Sequence, residues 1–164
     1  MIAGSIVFAV KESAGQLILF LLKYNRFIIE PYIKMNSKEI AREFARESVK
    51  KYADEIVGIV LFGSAARGDD RGESDIDVLV ITEGDWYDML KKLSSISINE
   101  LLEHGKYISI KTLARDDLKR NIRLETGFIE NIKSEGMILY DGTGKYKGAL
   151  RKSTLQAWCG KVPA

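Results

Sequence analysis

The chain has 164 residues, of which 46% are hydrophobic, and a formal net charge of +2. This length accommodates one domain with an apolar core and short extensions, and the small net charge disfavours a nucleic-acid groove. Cys159 is the single cysteine and His104 the single histidine, which excludes an internal disulfide and a structural zinc site and favours a cytoplasmic protein.

Residues 1–34 are predicted to be an apolar N-terminal extension. Their apolar runs at 2–10 and 16–22 both fall short of the about 18 consecutive apolar residues that a membrane helix requires. Because no basic leader or cleavage site is evident, we expect neither a signal peptide nor a membrane anchor. Met35 precedes a helix start and is a candidate initiator, which would make 1–34 an appendage. A hairpin or helix that packs on the core or on a partner is the alternative.

The segment 35–142 is predicted to be an α/β (α+β) domain with a small mixed β-sheet flanked by helices. Asn36 and Glu39 form a capping box at the start of an amphipathic helix. The short apolar runs at 56–62 and 76–82 fit strands that are buried on both faces.

The remaining predicted elements, in chain order, are a helix over 84–104 that the stretch 94–99 can divide in two, a strand over 106–113, helices that begin at Asp116 and Phe128, and a strand over 137–140. Residues 143–164 follow as a basic, glycine-containing tail with five cations and no acid. We expect this tail to be a solvated terminus. An arm that binds a partner or nucleic acid through Tyr146 and Trp158 is the alternative.

The strand over 56–62 ends in a turn suited to phosphate. Gly63 permits backbone angles that other residues avoid and lets a ligand approach the main chain. Ser64 adds a hydroxyl donor, and the N–H groups of such a turn can form a small anion-binding concavity. Arg67 offers a planar guanidinium that matches phosphate oxygens, or else ties the loop to Asp69 or Asp70.

Two carboxylates stand at the head of the next strand. Side chains at alternate positions share one face of a strand, so Asp75 and Asp77 project together. Carboxylates this close repel one another unless a cation lies between them, and Mg²⁺ prefers carboxylate and phosphate oxygens. The pair therefore predicts a metal site for in-line displacement at a phosphate, whereas an isolated Asp-x-Asp on a turn is usually only solvated charge.

The stretches 61–68 and 74–80 resemble the minimal nucleotidyltransferase (MNT) family of the DNA polymerase beta superfamily. The resemblance covers about residues 36–142 and implies the polymerase-beta-like nucleotidyltransferase fold. It also implies Mg²⁺ or Mn²⁺ as the cofactor and ATP or another NTP as the substrate. The residues assigned to nucleotide binding are Gly63, Ser64, Arg67 and Ser74, and those assigned to metal binding and catalysis are Asp75 and Asp77.

The family pattern also includes a third carboxylate on a later strand, and this sequence departs from it. The predicted strand over 106–113 contains no acid, and Ser109 stands where the carboxylate is expected. A serine cannot replace a carboxylate as a base or as a ligand of a hard metal. Glu100 and Glu103, on the preceding helix, are the candidate substitutes, and His104 is interpreted as a helix-end or surface residue.

Three functions remain open at this point. Proteins that resemble this chain often pair with a HEPN-domain toxin encoded nearby, and the MNT member neutralises the toxin by adding AMP to it. The missing strand carboxylate favours a second function, a nucleotide- or partner-binding module that neutralises by masking. Transfer of a nucleotide to a small molecule such as an aminoglycoside is the third. A homodimer is compatible with an open sheet edge, and a membrane partner is not expected.

Overall fold

The computed structural model describes residues 35–70, 74–144 and 148–159 of the chain. The chain divides into two units, Met1–Met35 and Asn36–Ala164, and the predicted extension over 1–34 lies outside the described residues. The described elements, in chain order, are α1 (Ser37–Tyr52), β1 (Ile56–Phe62), α2 (Gly63–Arg67), β2 (Ile76–Thr82), α3 (Trp86–His104), β3 (Ile108–Ala114), α4 (Arg115–Arg123), α5 (Gly127–Glu135), β4 (Met137–Asp141), β5 (Gly148–Ala149) and α6 (Lys152–Trp158).

The strands form one mixed sheet in the order β3-β2-β1-β4-β5. β1 lies between β2 and β4 and pairs antiparallel with both, while β3 runs parallel to β2. A parallel pair needs a crossover, which α3 supplies. The predicted small mixed sheet with flanking helices is therefore confirmed.

Helices cover both faces of the sheet. The seven residues of β1 are all buried, as expected for a central strand with two covered faces. On one face, Leu79 and Ile81 of β2 belong to a core cluster with residues of α4, α5 and α6. Side chains at alternate positions point the opposite way, so Val78 and Val80 face α1 and α3, which pack against each other and against the sheet.

The sequence pattern predicts the start of α1 correctly but leaves the continuity of α3 open. The capping box of Asn36 and Glu39 is present at the start of α1, as predicted. The predicted division of the helix over 84–104 is wrong, because α3 continues unbroken through its serines. The hydroxyl of Ser94 donates to the carbonyl of Leu90, and the hydroxyl of Ser97 donates to the carbonyl of Ile108. Their polar groups are thus satisfied without ending the helix.

The C-terminal segment is part of the core. Leu150, Leu155 and Trp158 are buried, so the prediction of a solvated tail is wrong for this stretch. Trp158 is 0% exposed and cannot serve as the exposed anchor of an arm. Its indole N–H donates to Asp141 Oδ1 over 2.7 Å, which satisfies the polar group that burial would otherwise leave unpaired. The sequence pattern missed this because the segment is basic and rich in glycine.

Within the described residues, no helix combines the length and the apolar character needed to cross a membrane.

Gly58 gives the Trp158 ring its space, and this can be tested. A Cβ at position 58 would lie 2.5 Å from the Trp158 ring, so we expect Gly58→Ala to lower the free energy of unfolding by about 1–3 kcal/mol through overpacking. Gly84→Ala is the matched control, since a Cβ there meets nothing within 4 Å. Urea denaturation of both variants is the measurement. Equal stabilities would show that the indole does not pack on β1.

Candidate functional site

The turn after β1 is a short helix that begins with a glycine in a left-handed conformation. Gly63 has φ +72°, a region that side chains with a Cβ rarely adopt. Gly68 caps the C-terminus of α2; its φ is also positive, and its N–H donates to the carbonyl of Ser64 over 2.9 Å. Two glycines thus fix the start and the end of the turn that carries Ser64.

The Asp77 carboxylate lies against this turn. The antiparallel register of β1 and β2 places Phe62 opposite Asp77, so the next residue, Gly63, reaches the carboxylate. A Cβ on Gly63 would lie 2.8 Å from Asp77 Oδ2, and Cβ atoms in proteins essentially never come this close to another heavy atom. Asp75, just before β2, shares the face of Asp77 by strand alternation, and its side chain is exposed. The structure therefore brings together the glycine turn and the acidic pair.

Three side chains of this site, those of Ser64, Asp75 and Asp77, are not engaged within the described residues. There, neither Asp75 nor Asp77 forms an ion pair, although Asp77 is half-buried, and the hydroxyl of Ser64 has no hydrogen-bond partner. Two adjacent carboxylates without a cation are electrostatically unfavourable. Such a pair is suited to a divalent cation that takes its remaining ligands from phosphate and water, as Mg²⁺ does. Among the described residues, no group of three or more potential metal-binding side chains is found.

Arg67 is held by two carboxylates. Its Nε donates to Asp69 Oδ2 over 3.3 Å, and its Nη1 donates to Glu135 Oε2. The hydrogen bond with Glu135, followed by that with Asp69, raises the pKa of the guanidinium. Of the two predicted roles, the tie to the loop is thus present. Glu135 is the residue that sequence reasoning missed, because only the fold brings it to this turn.

Glu135 also accepts a hydrogen bond from the backbone N–H of Gly63, a group that the sequence analysis assigned to phosphate binding. The N–H of Gly63 donates to Glu135 Oε1 over 2.9 Å. Of the predicted phosphate donors, the Ser64 hydroxyl stays unengaged within the described part of the chain, whereas the Gly63 N–H does not.

The loop between α2 and β2 is fastened near both of its described ends. Asp70 accepts a hydrogen bond from the hydroxyl of Ser37 and lies 3.8 Å from the ammonium of Lys106. The same ammonium approaches the carbonyl of Ser74 at 3.4 Å. Ser74 is half-buried and directly precedes Asp75, the first residue of the acidic pair.

β3 brings no carboxylate to Asp77. The parallel register places Ser109 beside Asp77, as the sequence position predicted. Glu100 and Glu103 lie on α3, which covers the opposite face of the sheet, so neither substitutes for the missing acid. Glu100 Oε2 instead lies 3.5 Å from Nε2 of His104. His104 is half-buried on this face.

The family described as "Polymerase beta, Nucleotidyltransferase" matches residues 43–143. The chain belongs to this nucleotidyltransferase family. "Putative protein adenylyltransferase MJ0604" of Methanocaldococcus jannaschii is 34% identical over 109 residues, which cover 65% of this chain and 100% of that protein. The resemblance to nucleotidyltransferases inferred from the two motif stretches is confirmed.

Two solved structures are similar to this nucleotidyltransferase. A "putative nucleotidyltransferase from Sulfolobus solfataricus" has 20% identity and a TM-score of 0.43, covering 70% of this chain and 89% of its own. A structure described as "the toxin-antitoxin with AMP-PNP" has 14% identity and a TM-score of 0.40, covering 72% of this chain and 80% of its own.

The contact between Gly63 and Asp77 can be tested by substitution. Gly63→Ala should destabilise the nucleotidyltransferase by about 2–4 kcal/mol, from the left-handed backbone and from overpacking against the carboxylate. Gly105→Ala is the matched control, because Gly105 has φ +67° but nothing within 4 Å of its Cβ position. Urea denaturation should show that Asp77→Ala removes the excess cost of Gly63→Ala. An excess that persists in this background would contradict the contact.

Glu100 predicts a pH dependence. Burial, followed by repulsion from Glu43 and Glu103, raises the pKa of Glu100 from 4.5 to about 7. Because the folded chain keeps a proton that the unfolded chain releases in that window, stability should fall as pH rises from 4.5 to 7. The expected loss is on the order of 2 kcal/mol.

Denaturation at pH 5 and pH 8 of Glu100→Gln measures this contribution. The loss between the two pH values should be smaller in Glu100→Gln than in the unsubstituted chain, since the amide does not titrate. Glu125→Gln is the control, because Glu125 is exposed in the turn after α4 and is not among the acids that raise the pKa of Glu100, so this substitution should leave the pH profile unchanged. Identical profiles for Glu100→Gln and the unsubstituted chain would refute the prediction.

Proposed function

We propose that this protein transfers a nucleoside monophosphate from an NTP, with ATP as the best candidate, to a hydroxyl of a partner protein. The proposal rests on Asp75 and Asp77. Their carboxylates share one face at the start of β2 and form no ion pair within the described residues. Asp77 meets the glycine turn that presents Ser64. Family membership gives the reaction class, and the site contains the glycine turn and the acidic pair of the family pattern, while β3 supplies no third carboxylate.

The residues present fit a divalent cation. Asp75 and Asp77 would hold Mg²⁺ or Mn²⁺, and the absence of a Cβ at Gly63 leaves the Asp77 carboxylate its space. Bound there, the cation would neutralise charge at the reacting phosphate. Ser64 would donate its hydroxyl to a phosphate oxygen, and Ser74 would border the nucleotide beside Asp75.

In the proposed transfer, the acceptor oxygen forms a bond to the α-phosphorus as the bond from that phosphorus to the bridging oxygen breaks. Pyrophosphate leaves, and the acceptor carries the nucleoside monophosphate. The proton of the acceptor hydroxyl passes to water, because β3 places Ser109 rather than a carboxylate beside Asp77.

A protein acceptor is supported by the name of the relative. "Putative protein adenylyltransferase MJ0604" is matched over its whole length, and its name specifies both adenylyl transfer and a protein acceptor. We propose the same for this chain, with a HEPN-domain toxin encoded nearby as the candidate partner and neutralisation of that toxin as the outcome.

One observation favours a second function. The position beside Asp77 on β3 is Ser109, so a third carboxylate is not supplied by that strand. A site weakened in this way would still bind a nucleotide or the partner, and the protein would then neutralise the toxin by masking it.

The test is transfer of label from ATP labelled at the α-phosphate, with Mg²⁺ and the protein encoded beside this one. We expect label on that protein, and at least a hundredfold less with Asp77→Asn, since the amide lacks the charge that holds a hard cation. Asp54→Asn is the control, because Asp54 is exposed in the turn before β1, at the end of the strand remote from Gly63.

Neutralisation of the neighbouring protein separates the two functions. If Asp77→Asn still binds it but no longer neutralises it, transfer is responsible. If the unsubstituted chain neutralises without transferring label, and Asp77→Asn does so equally well, masking is responsible.

A further inference from the structure

The carboxylate of Glu135 spans the glycine turn. Its Oε1 accepts from the N–H of Gly63, the first residue of α2, and its Oε2 accepts from the guanidinium of Arg67, the last. The residue before α2, Phe62, provides no side-chain cap. Glu135 therefore supplies from another helix the capping acceptor that the local sequence lacks.

The pairing of β1 with β4 brings Glu135 close to the glycine turn. β1 and β4 are antiparallel, with Leu61 opposite Met137. In an antiparallel pair, residue numbers rise along one strand where they fall along the other. The residue two positions after Leu61 therefore lies near the residue two positions before Met137. Those residues are Gly63 and Glu135. The edge-to-face contact of Phe62 with Phe128, at 5.8 Å between ring centroids, holds α5 beside the end of β1.

The residue between Glu135 and β4 is also fixed. Gly136 is buried, and its N–H donates to the carbonyl of Ile132 over 2.8 Å. A Cβ on Gly136 would lie 3.0 Å from the side chain of Val60, so the chain passes close against β1 at this point. Glu135 therefore starts from a backbone position with little freedom, and its side chain is mostly covered.

Helix electrostatics alone disfavours an acid at this position. Glu135 is the last residue of α5, where the helix dipole favours cations and opposes a carboxylate. The Arg67 guanidinium and the Gly63 N–H offset this cost. A residue that breaks a local rule and is compensated only at a candidate site is expected to serve that site.

We propose that Glu135 is a positioning residue that holds the glycine turn in the conformation that presents Ser64 to the nucleotide phosphates. The inference rests on the proposed function and extends it. Arg67 then acts through Glu135: it neutralises a carboxylate that would otherwise repel the nucleotide, and it is not itself the phosphate ligand. The Gly63 N–H belongs to this support and not to the phosphate contacts.

The experiment measures the Kd for Mg²⁺–ATP by calorimetry, together with the melting temperature, for the unsubstituted full chain and its variants. Glu135→Ala should weaken binding about tenfold, because a displaced turn misplaces its donor. Glu135→Gln should fall in between, since its amide oxygen still accepts from Gly63. Glu130→Ala is the control: Glu130 is exposed on α5, and its ion pair within the described residues is with Lys133 of the same helix.

A second variant separates positioning from a general loss of structure. If Glu135 acts through Ser64, Glu135→Ala should weaken binding much less in a Ser64→Ala background, because coupled residues are not additive. Full additivity would overturn the inference. So would unchanged or tighter binding by Glu135→Ala, tighter binding meaning that the carboxylate obstructs the nucleotide. If the unsubstituted chain binds no Mg²⁺–ATP, the proposed function fails and this inference fails with it.

Discussion

The antiparallel register of β1 and β2 is the constraint on which the rest of the site depends. It sets Phe62 opposite Asp77 and so brings the first residue beyond β1, Gly63, against the carboxylate. A slip of one residue would send Asp77 to the face covered by α1 and α3. Such a slip would bury the Asp77 carboxylate among apolar side chains and would force the apolar side chains on both faces of β2 to repack. The geometry of the acidic pair is therefore maintained by the hydrophobic core and not by polar contacts of its own.

The sequence predicts features that depend on residues close together along the chain, and it does not predict contacts between distant ones. The capping box, the two buried strands and the shared face of Asp75 and Asp77 each depend on near neighbours, and all are visible as local patterns. Glu135 escaped notice because its contact with Gly63 joins positions far apart in sequence. Trp158 escaped notice for the same reason, since composition cannot show that an indole fits over Gly58.

The carboxylates of this domain illustrate how one chemical group takes opposite roles. Glu100 is 4% exposed, and its raised pKa reflects burial beside other acids between α1 and α3. Asp75 and Asp77 lie near solvent on the other side of β2, within reach of the turn that carries Ser64. A perturbed pKa is often taken as a mark of an active site. In this protein the perturbed carboxylate belongs to the packing of two helices, and the candidate site is identified by geometry.

The burial of Trp158 has a consequence for the order in which the protein is made. β1 and β2 leave the ribosome before α6, and the indole that covers Gly58 follows all the other described helices and strands. Until then one face of the central strand lacks part of its cover, and nascent apolar surface of this kind is prone to aggregate. We therefore expect this face of β1 to become fully covered only after α6 has been synthesised.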